Sequence, residues 1–403
     1  MMMSNRATAI STAVSLAAML AAGGANAQAA DKVKIGFITD MSSLYSDVDG
    51  KNGAIAIQMA IDDFGGKVNG LPIELISADH QNKADIAASK AREWIDTQGL
   101  SMLLGGTSSG AGLAMAKVAQ EKKRPYFVNG AGSSALTNEQ CSPYTVHYAY
   151  DTVALAKGTG SAVIARGDKN WFFLTADYAF GQALEADASK VVKEKGGTVV
   201  GSVKAPLNTS DFSSFLLQAQ NSKAQVLALA NAGGDTINSI KSAREFGISK
   251  SMKMVGLLVF VTDVHSLGLK NTEGLLLTTS WDWNLDDQTR AFGKKFFAKT
   301  QRMPTDIQAA DYSATMTYLK AVQATKTTDA DKIMEYVKKT PIDDFYAKGT
   351  VRADGRFVHD MYLVQVKSPA ESKQPWDYYK VVQKLKGDEV FTTKAESKCA
   401  LWK

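Results

Sequence analysis

Residues 100–112, Leu100-Ser101-Met102-Leu103-Leu104-Gly105-Gly106-Thr107-Ser108-Ser109-Gly110-Ala111-Gly112, read as a short apolar strand that runs through a glycine-and-serine loop into a helix. Working outward, the helix Ala111–Glu121 leads to a second apolar strand, Pro125–Val128, and the helix Lys83–Thr97 precedes the first strand. Further back lie the strands Val33–Ile38 and Leu71–Ala78, separated by a helix over Gly53–Phe64. That helix carries Ile57, Ala60, Ile61 and Phe64 at helical spacing and stops at Gly65-Gly66. Strand and helix alternating with short connections predict a parallel sheet with helices on both faces.

The alternation restarts after Tyr148-Ala149-Tyr150. Helices are expected over Asp151–Arg166, Gly181–Glu194, Phe212–Gln220 and Asp235–Phe246, and strands over Trp171–Leu174, Gly197–Val203, Gln225–Leu229 and Met252–Val255. A further strand, Gly274–Ser280, precedes three helical stretches with no strand between them, Asp286–Thr300, Ile307–Ala324 and Asp329–Lys338. Helices arriving so late suggest that the chain crosses back to pack on its first half, before the closing strands Met361–Val366 and Tyr378–Gln383. The expected fold class is therefore α/β, with two doubly wound Rossmann-like lobes and a cleft between the carboxyl ends of their sheets, where such sheets bind ligands.

The 403 residues, 45% hydrophobic and 22% charged, are those of a globular chain and exceed one core's usual size of roughly 250–300 residues. Net charge is +5, spread without a basic run beyond Lys122-Lys123-Arg124, so nucleic acid is not an expected partner. Residues 1–27 read as a signal peptide: Arg6, an apolar stretch to about Ala22, then Ala25-Asn26-Ala27, with cleavage after Ala27 or, second, Ala29. The stretch is short for a membrane span of about 20 residues. An exported protein has an oxidising environment, in which Cys141 and Cys399 are expected to bridge, the alternative being two thiols. No metal or other cofactor is expected, since these cysteines and His80, His147, His265 and His359 have no ligand spacing.

A glycine-serine loop opening a helix offers free backbone N–H groups and hydroxyls to an anion, so Gly105–Gly112 reads as a carboxylate cradle through Ser108 and Ser109. The bland alternative is a plain N-cap. Gly106–Gly110 also matches G-x-S-x-G, which would make Ser108 the nucleophile of a secreted hydrolase, but no oxyanion loop of the His-Gly-Gly type accompanies it. A second polar loop, Asn129–Ser134, follows the neighbouring strand. The matching loops of the second half contain Tyr178 and Phe180, and Asn231 and Gly233; Tyr45 lies on the first strand-to-helix loop, and Trp281 follows Gly274–Ser280.

With these residues the chain resembles the branched-chain amino-acid, or leucine-binding, family of periplasmic solute-binding proteins that serve ABC importers. The likeness rests on Lys34-Ile35-Gly36-Phe37 with Gly53-Ala54, Val68-Asn69-Gly70, Gly105–Ser109, Asp177–Gly181 and Asp211-Phe212-Ser213. It implies type I binding-protein lobes joined by three crossovers, placed near 148–152, 278–282 and 357–361. Lobe 1 would take residues 28–150 and 281–358, and lobe 2 residues 151–280 and 359–403. It also implies no enzymatic activity, a periplasmic monomer, a small-molecule ligand and an inner-membrane permease as partner. Ser108 or Ser109, with Ala131, Gly132 and Ser133, would hold the ligand carboxylate, and Phe180 would cover the ligand.

One departure bears on the ligand. Amino-acid binders of the family place an acid after the strand matched by Met252–Val255, where this chain has Gly256-Leu257-Leu258-Val259-Phe260, with Asp263 several residues late. An unpaired ammonium in an apolar site costs several kcal/mol. The expectation is a carboxylate with an aromatic or apolar body and no paired α-ammonium, with Leu258 in the wall; the alternative is a branched-chain or other amino acid.

Overall fold

The computed structural model describes residues 32–403, and the expected signal peptide lies outside them. The first half builds a six-stranded sheet from β1 (Val33–Thr39), β2 (Lys67–Val68), β3 (Leu71–Asp79), β4 (Met102–Gly105), β5 (Tyr126–Val128) and β6 (Thr145–His147). Its order is β2-β3-β1-β4-β5-β6, parallel throughout except for the hairpin strand β2. Helices α1 (Gly50–Phe64), α2 (Ala84–Thr97) and α3 (Ser109–Lys122) connect the strands. Ala87, Ala91 and Trp94 of α2 and Met115 and Ala119 of α3 share a core with Ile38 and Leu103. α1 ends at Gly65, whose φ of 98° forms the left-handed cap the Gly-Gly pair foretold.

The second half builds a four-stranded parallel sheet, β10-β9-β7-β8, from β7 (Asn170–Ala176), β8 (Thr198–Ala205), β9 (Val226–Ala230) and β10 (Lys253–Gly256). Before it, the expected helix over 151–166 is α4 (Thr152–Leu155) and α5 (Ser161–Ala165) joined by a π turn at Ala156–Gly160. Gly158 there lies so close to Thr278 and Leu385 that a side chain would collide with them. Helices α6 (Ala179–Glu194), α7 (Ser213–Asn221), α8 (Gly234–Glu245), α9 (Val261–Leu267) and α10 (Leu269–Thr272) complete this half.

β11 (Leu276–Thr279) does not continue the parallel pattern but pairs antiparallel within a three-stranded sheet. Next come α11 (Asp287–Thr300), α12 (Asp306–Thr325) and α13 (Ala330–Lys339), then a small antiparallel sheet of β12 (Ile342–Asp343), β13 (Lys348–Val351) and β14 (Phe357–His359). α12 returns to the first half, where Ile307, Leu319 and Val322 join Ile35, Phe37, Ile57 and Ile61 in one core. β15 (Met361–Val366) and β16 (Tyr379–Leu385) complete the sheet of β11, and α14 (Gly387–Val390) follows.

The result is an α/β fold of two parallel-sheet lobes. The segments around residues 148 and 359 are tied together: Arg356 donates to the carbonyls of Tyr148 at 2.6 Å and Ala149 at 2.7 Å, and the His359 ring lies 2.9 Å from the Ala149 carbonyl. Ser280 is held by the Asp306 carboxylate at 2.8 Å and by the Tyr346 hydroxyl at 2.9 Å. Cys141 and Cys399 form a disulfide, with Cα atoms 5.7 Å apart, that ties the C-terminal segment to the first lobe.

Candidate ligand-binding site

Helix α3 begins at Ser109, two residues earlier than the sequence pattern suggests, so its first turn lies inside the glycine-serine loop. The N–H groups of that turn have no carbonyl within the helix to bind. They adjoin a nearly closed space of about 10 Å3 at the carboxyl ends of both parallel sheets. On the side of the six-stranded sheet the wall is Tyr45, Val48, Thr107, Ser108, Ser109 and Gly130; on the other side it is Tyr178, Phe180, Ala232, Leu258 and Phe260, with Tyr150 on the segment between. The space has room for about one water, far below the roughly 300–1,000 Å3 of an open ligand site, so the two walls stand closed on each other.

The polar groups are neutral. Burial, reinforced by the partner phenol, holds the Tyr45 hydroxyl well above the usual range, and burial does the same for Tyr178 and Tyr150, so all three remain donors. Tyr45 and Tyr178 hydrogen-bond through their hydroxyls from opposite sides of the space. The Gly234 N–H donates to the Leu44 carbonyl at 3.3 Å, a second bond across the same gap. Tyr150 donates to the Gly130 carbonyl at 3.1 Å. Rings supply the apolar wall, Tyr178 beside Phe180 at 6.1 Å and Tyr150 beside Phe260 at 6.2 Å between centroids.

Six of the twelve residues expected at the site reach this wall: Tyr45, Ser108, Ser109, Tyr178, Phe180 and Leu258. Others stand directly behind it. The Ser133 N–H donates to the Ser109 Oγ at 3.0 Å, and the Ser133 hydroxyl accepts from Ala135 N–H at 3.4 Å. Ala131 has its carbonyl 2.7 Å from the His147 ring, and Gly132 lies against Phe180 and Tyr150. Asn231 uses its amide within its own lobe, accepting from Thr236 at 2.7 Å and donating to Ser239 at 3.2 Å, and Gly233 packs on Leu44 and Tyr45. Trp281 is elsewhere, edge-on to Phe292 and Phe345 with its indole N–H on the Phe345 carbonyl at 3.2 Å. A tryptophan at the end of a strand looks the same in sequence whether it turns to the cleft or to the core.

Sequence reasoning did not select Val48, Thr107, Gly130, Tyr150, Ala232 or Phe260. Thr107 and Phe260 were visible in loops already marked, and Tyr150 in the segment where the pattern restarts. No charged side chain stands among the twelve lining residues. Asp263, the late acid, accepts the Phe260 N–H at 2.9 Å in the first turn of α9, and burial raises its pKa to about 7. No histidine lines the wall beside Ser108: the His147 ring is spent on Ala131, His359 on Ala149, and His265 stacks on Trp376 at 3.9 Å.

The family model described as periplasmic binding protein matches residues 32–373. A periplasmic binding protein of Burkholderia mallei is 65% identical, with a TM-score of 0.92 over 93% of this chain and 100% of that one. A branched-chain amino-acid ABC transporter periplasmic ligand-binding protein of Burkholderia xenovorans is 42% identical, TM-score 0.83, over 92% and 100%. The Leu/Ile/Val-binding protein homolog 6 of Brucella melitensis is 26% identical over 89% of this chain and 93% of its own. A Rhodopseudomonas palustris solute-binding protein in complex with 4-hydroxybenzoate, at 23% identity and a TM-score of 0.80 over 89% and 98%, shares the fold. The chain belongs to the periplasmic binding protein family, as a substrate-binding protein of an ABC transporter of the branched-chain amino-acid type.

Proposed function

We propose that this periplasmic binding protein captures a small carboxylate with an aromatic or apolar body, closes on it by a hinge motion, and presents it to its ABC permease as a monomer. The observation that carries the reading is the wall: hydroxyls and a helix N-terminus at one side, rings around the rest, and no charged side chain. A carboxylate is stabilised by the free N–H groups of α3 and by the Ser108 and Ser109 hydroxyls. An α-ammonium in the same space would lose its water without gaining a counter-charge. The lobes, residues 28–150 with 281–358 and 151–280 with 359–403, would close because the ligand touches both and so favours the closed state. Export would remove the residues up to Ala27 or Ala29.

Asp235 favours a second reading, an amino-acid ligand. It follows the Ala232–Gly234 loop, its Oδ1 is buried without a hydrogen-bond partner among the described residues, and burial raises its pKa to about 6. A thermal-shift panel on refolded residues 28–403 separates the two. Saturation at about 100 times Kd adds about 2.7 kcal/mol to stability. Shifts with benzoate or phenylpropanoate and none with phenylalanine or leucine support the proposal; shifts with the amino acids, lost in Asp235→Asn, overturn it. Turnover of a model ester that Ser108→Ala abolishes would instead establish a hydrolase.

A further inference from the structure

Beneath the two loops that face the proposed carboxylate lie two fully buried acids, Asp49 at the start of α1 and Asp311 on α12. Asp49 Oδ2 accepts the hydroxyls of Thr39 and Thr107, each at 2.5 Å, and Asp311 Oδ1 accepts the side-chain amide of Asn129 at 2.6 Å. The remaining oxygens, Asp49 Oδ1 and Asp311 Oδ2, have no other donor among the described residues. Both crowd the point where a side chain on Gly53 would begin, so they face each other. Two buried carboxylates cannot face each other with both charged, and a single proton between them satisfies both.

Each acid holds one ligand loop. Thr107 belongs to the loop after β4 and Asn129 to the loop after β5, and the loops lean on one another through Ser109 with Ser133 and through Gly130 against Thr107. We propose that Asp49 and Asp311 form a proton-sharing pair of positioning residues that locks both loops in the shape that receives the carboxylate. The proposal rests on the ligand reading above only for its affinity readout. Other ionisable groups that act on the pair are Asp40, whose carboxylate holds Ser43 and Tyr45, and the phenols of Tyr126 and Tyr150. With the proton in place, the pair carries one negative charge and each of its four oxygens takes part in a hydrogen bond.

The test compares Asp311→Asn with Asp311→Ala in the full mature chain. The asparagine amide donates to Asp49 and accepts from Asn129 without a proton to lose, so it reproduces the bonds; alanine leaves Asn129 and Asp49 unpaired. Benzoate affinity by calorimetry should be near wild type in Asp311→Asn and about tenfold or more weaker in Asp311→Ala, the scale of one lost charge-assisted hydrogen bond. The infrared difference spectrum of wild type minus Asp311→Asn should contain the carbonyl stretch of a protonated carboxyl at neutral pH. Hydrogen exchange at 105–112 and 129–134 should quicken in Asp311→Ala alone. No protonated-carboxyl band, an asparagine variant as weak as alanine, or unchanged exchange in Asp311→Ala overturns the pair. Exchange and spectrum need no ligand, so failure of benzoate to bind wild type would sink the ligand reading and leave these two readouts to decide. Should Asp311→Ala fail to fold, the spectrum and the affinity of Asp311→Asn decide alone.

Discussion

Gly132→Ala tests whether closure depends on how closely the two lobes approach. Gly132 stands in the loop after β5, and a Cβ there would lie 2.9 Å from Phe180 Cε2 and 3.0 Å from Tyr150 Cε2. Carbon atoms rest about 3.5–4.0 Å apart, so the rings would have to retreat by roughly 0.6 Å. Neither ring has room, Phe180 being 3% and Tyr150 1% exposed. Phe180, however, rides on α6 of the other lobe, and under the proposed hinge motion it would withdraw, whereas Tyr150, bonded to Gly130, would not. Overpacking of this size costs about 1–3 kcal/mol. If the cost falls on the closed state alone, affinity weakens by about 5- to 150-fold. Calorimetry with the best ligand of the panel, alongside melting of the ligand-free protein, reads both sides. The expected result is weaker binding, with the ligand-free melting temperature lowered only by the share of the clash that falls on Tyr150. A lower melting temperature with unchanged affinity would mean that the methyl is absorbed within one lobe, and the reasoning from inter-lobe contact would be refuted.

Tyr45→Phe removes the hydroxyl bridge to Tyr178 and leaves the ring in place. Affinity should weaken by about 3- to 10-fold, the worth of one neutral hydrogen bond, with a faster release rate in stopped-flow. Replacing both cysteines by serine frees a segment closed over 258 residues, worth at most about 5.6 kcal/mol in the loop-entropy account. Spread over about 0.8 kcal/mol/K of unfolding entropy for a chain of this size, that lowers the melting temperature by at most about 7 °C. Asp263→Asn should leave affinity unchanged, because the carboxyl serves the Phe260 N–H rather than the pocket. It should also change the pH profile of stability: the native carboxyl keeps its proton to about 7, whereas the unfolded one releases it near 3.8. Wild type therefore loses stability relative to the variant as pH rises from about 4 to 7, by up to about 1.4 kcal/mol per unit, and the difference is constant above 7.

The fold was legible because its signals are local. Alternating apolar runs and amphipathic helices with glycine stops place all but one of the parallel strands and most helices within a few residues. What escaped detection was short or non-local. Thr145–His147 is three residues long and is a strand only because β5 lies beside it. The β12–β14 sheet pairs Ile342-Asp343 with Gly349 and Lys348 across a tight turn that carries no alternation. Leu276–Thr279 reads like its parallel predecessors, yet its partner lies some 85 residues later in β15, where no local pattern sets direction.

The same division runs through the site. Loops that follow strands could be named from sequence because chain direction alone brings them to one end of the sheets. Which side chain in each loop faces the space is decided by contacts made across the gap. Ser133 turned its hydroxyl to its own helical turn and its N–H to Ser109, while Thr107, one step from the serines that drew attention, both lines the pocket and anchors it to Asp49. A loop dedicated to one ligand group must satisfy its own buried polar atoms first, since each one left unpaired costs about 1–3 kcal/mol. The hydroxyls and N–H groups that remain free afterwards are the ones a ligand can use. Here those are the first turn of α3 and the O–H groups of Ser108 and Ser109, the groups on which the proposed carboxylate reading rests.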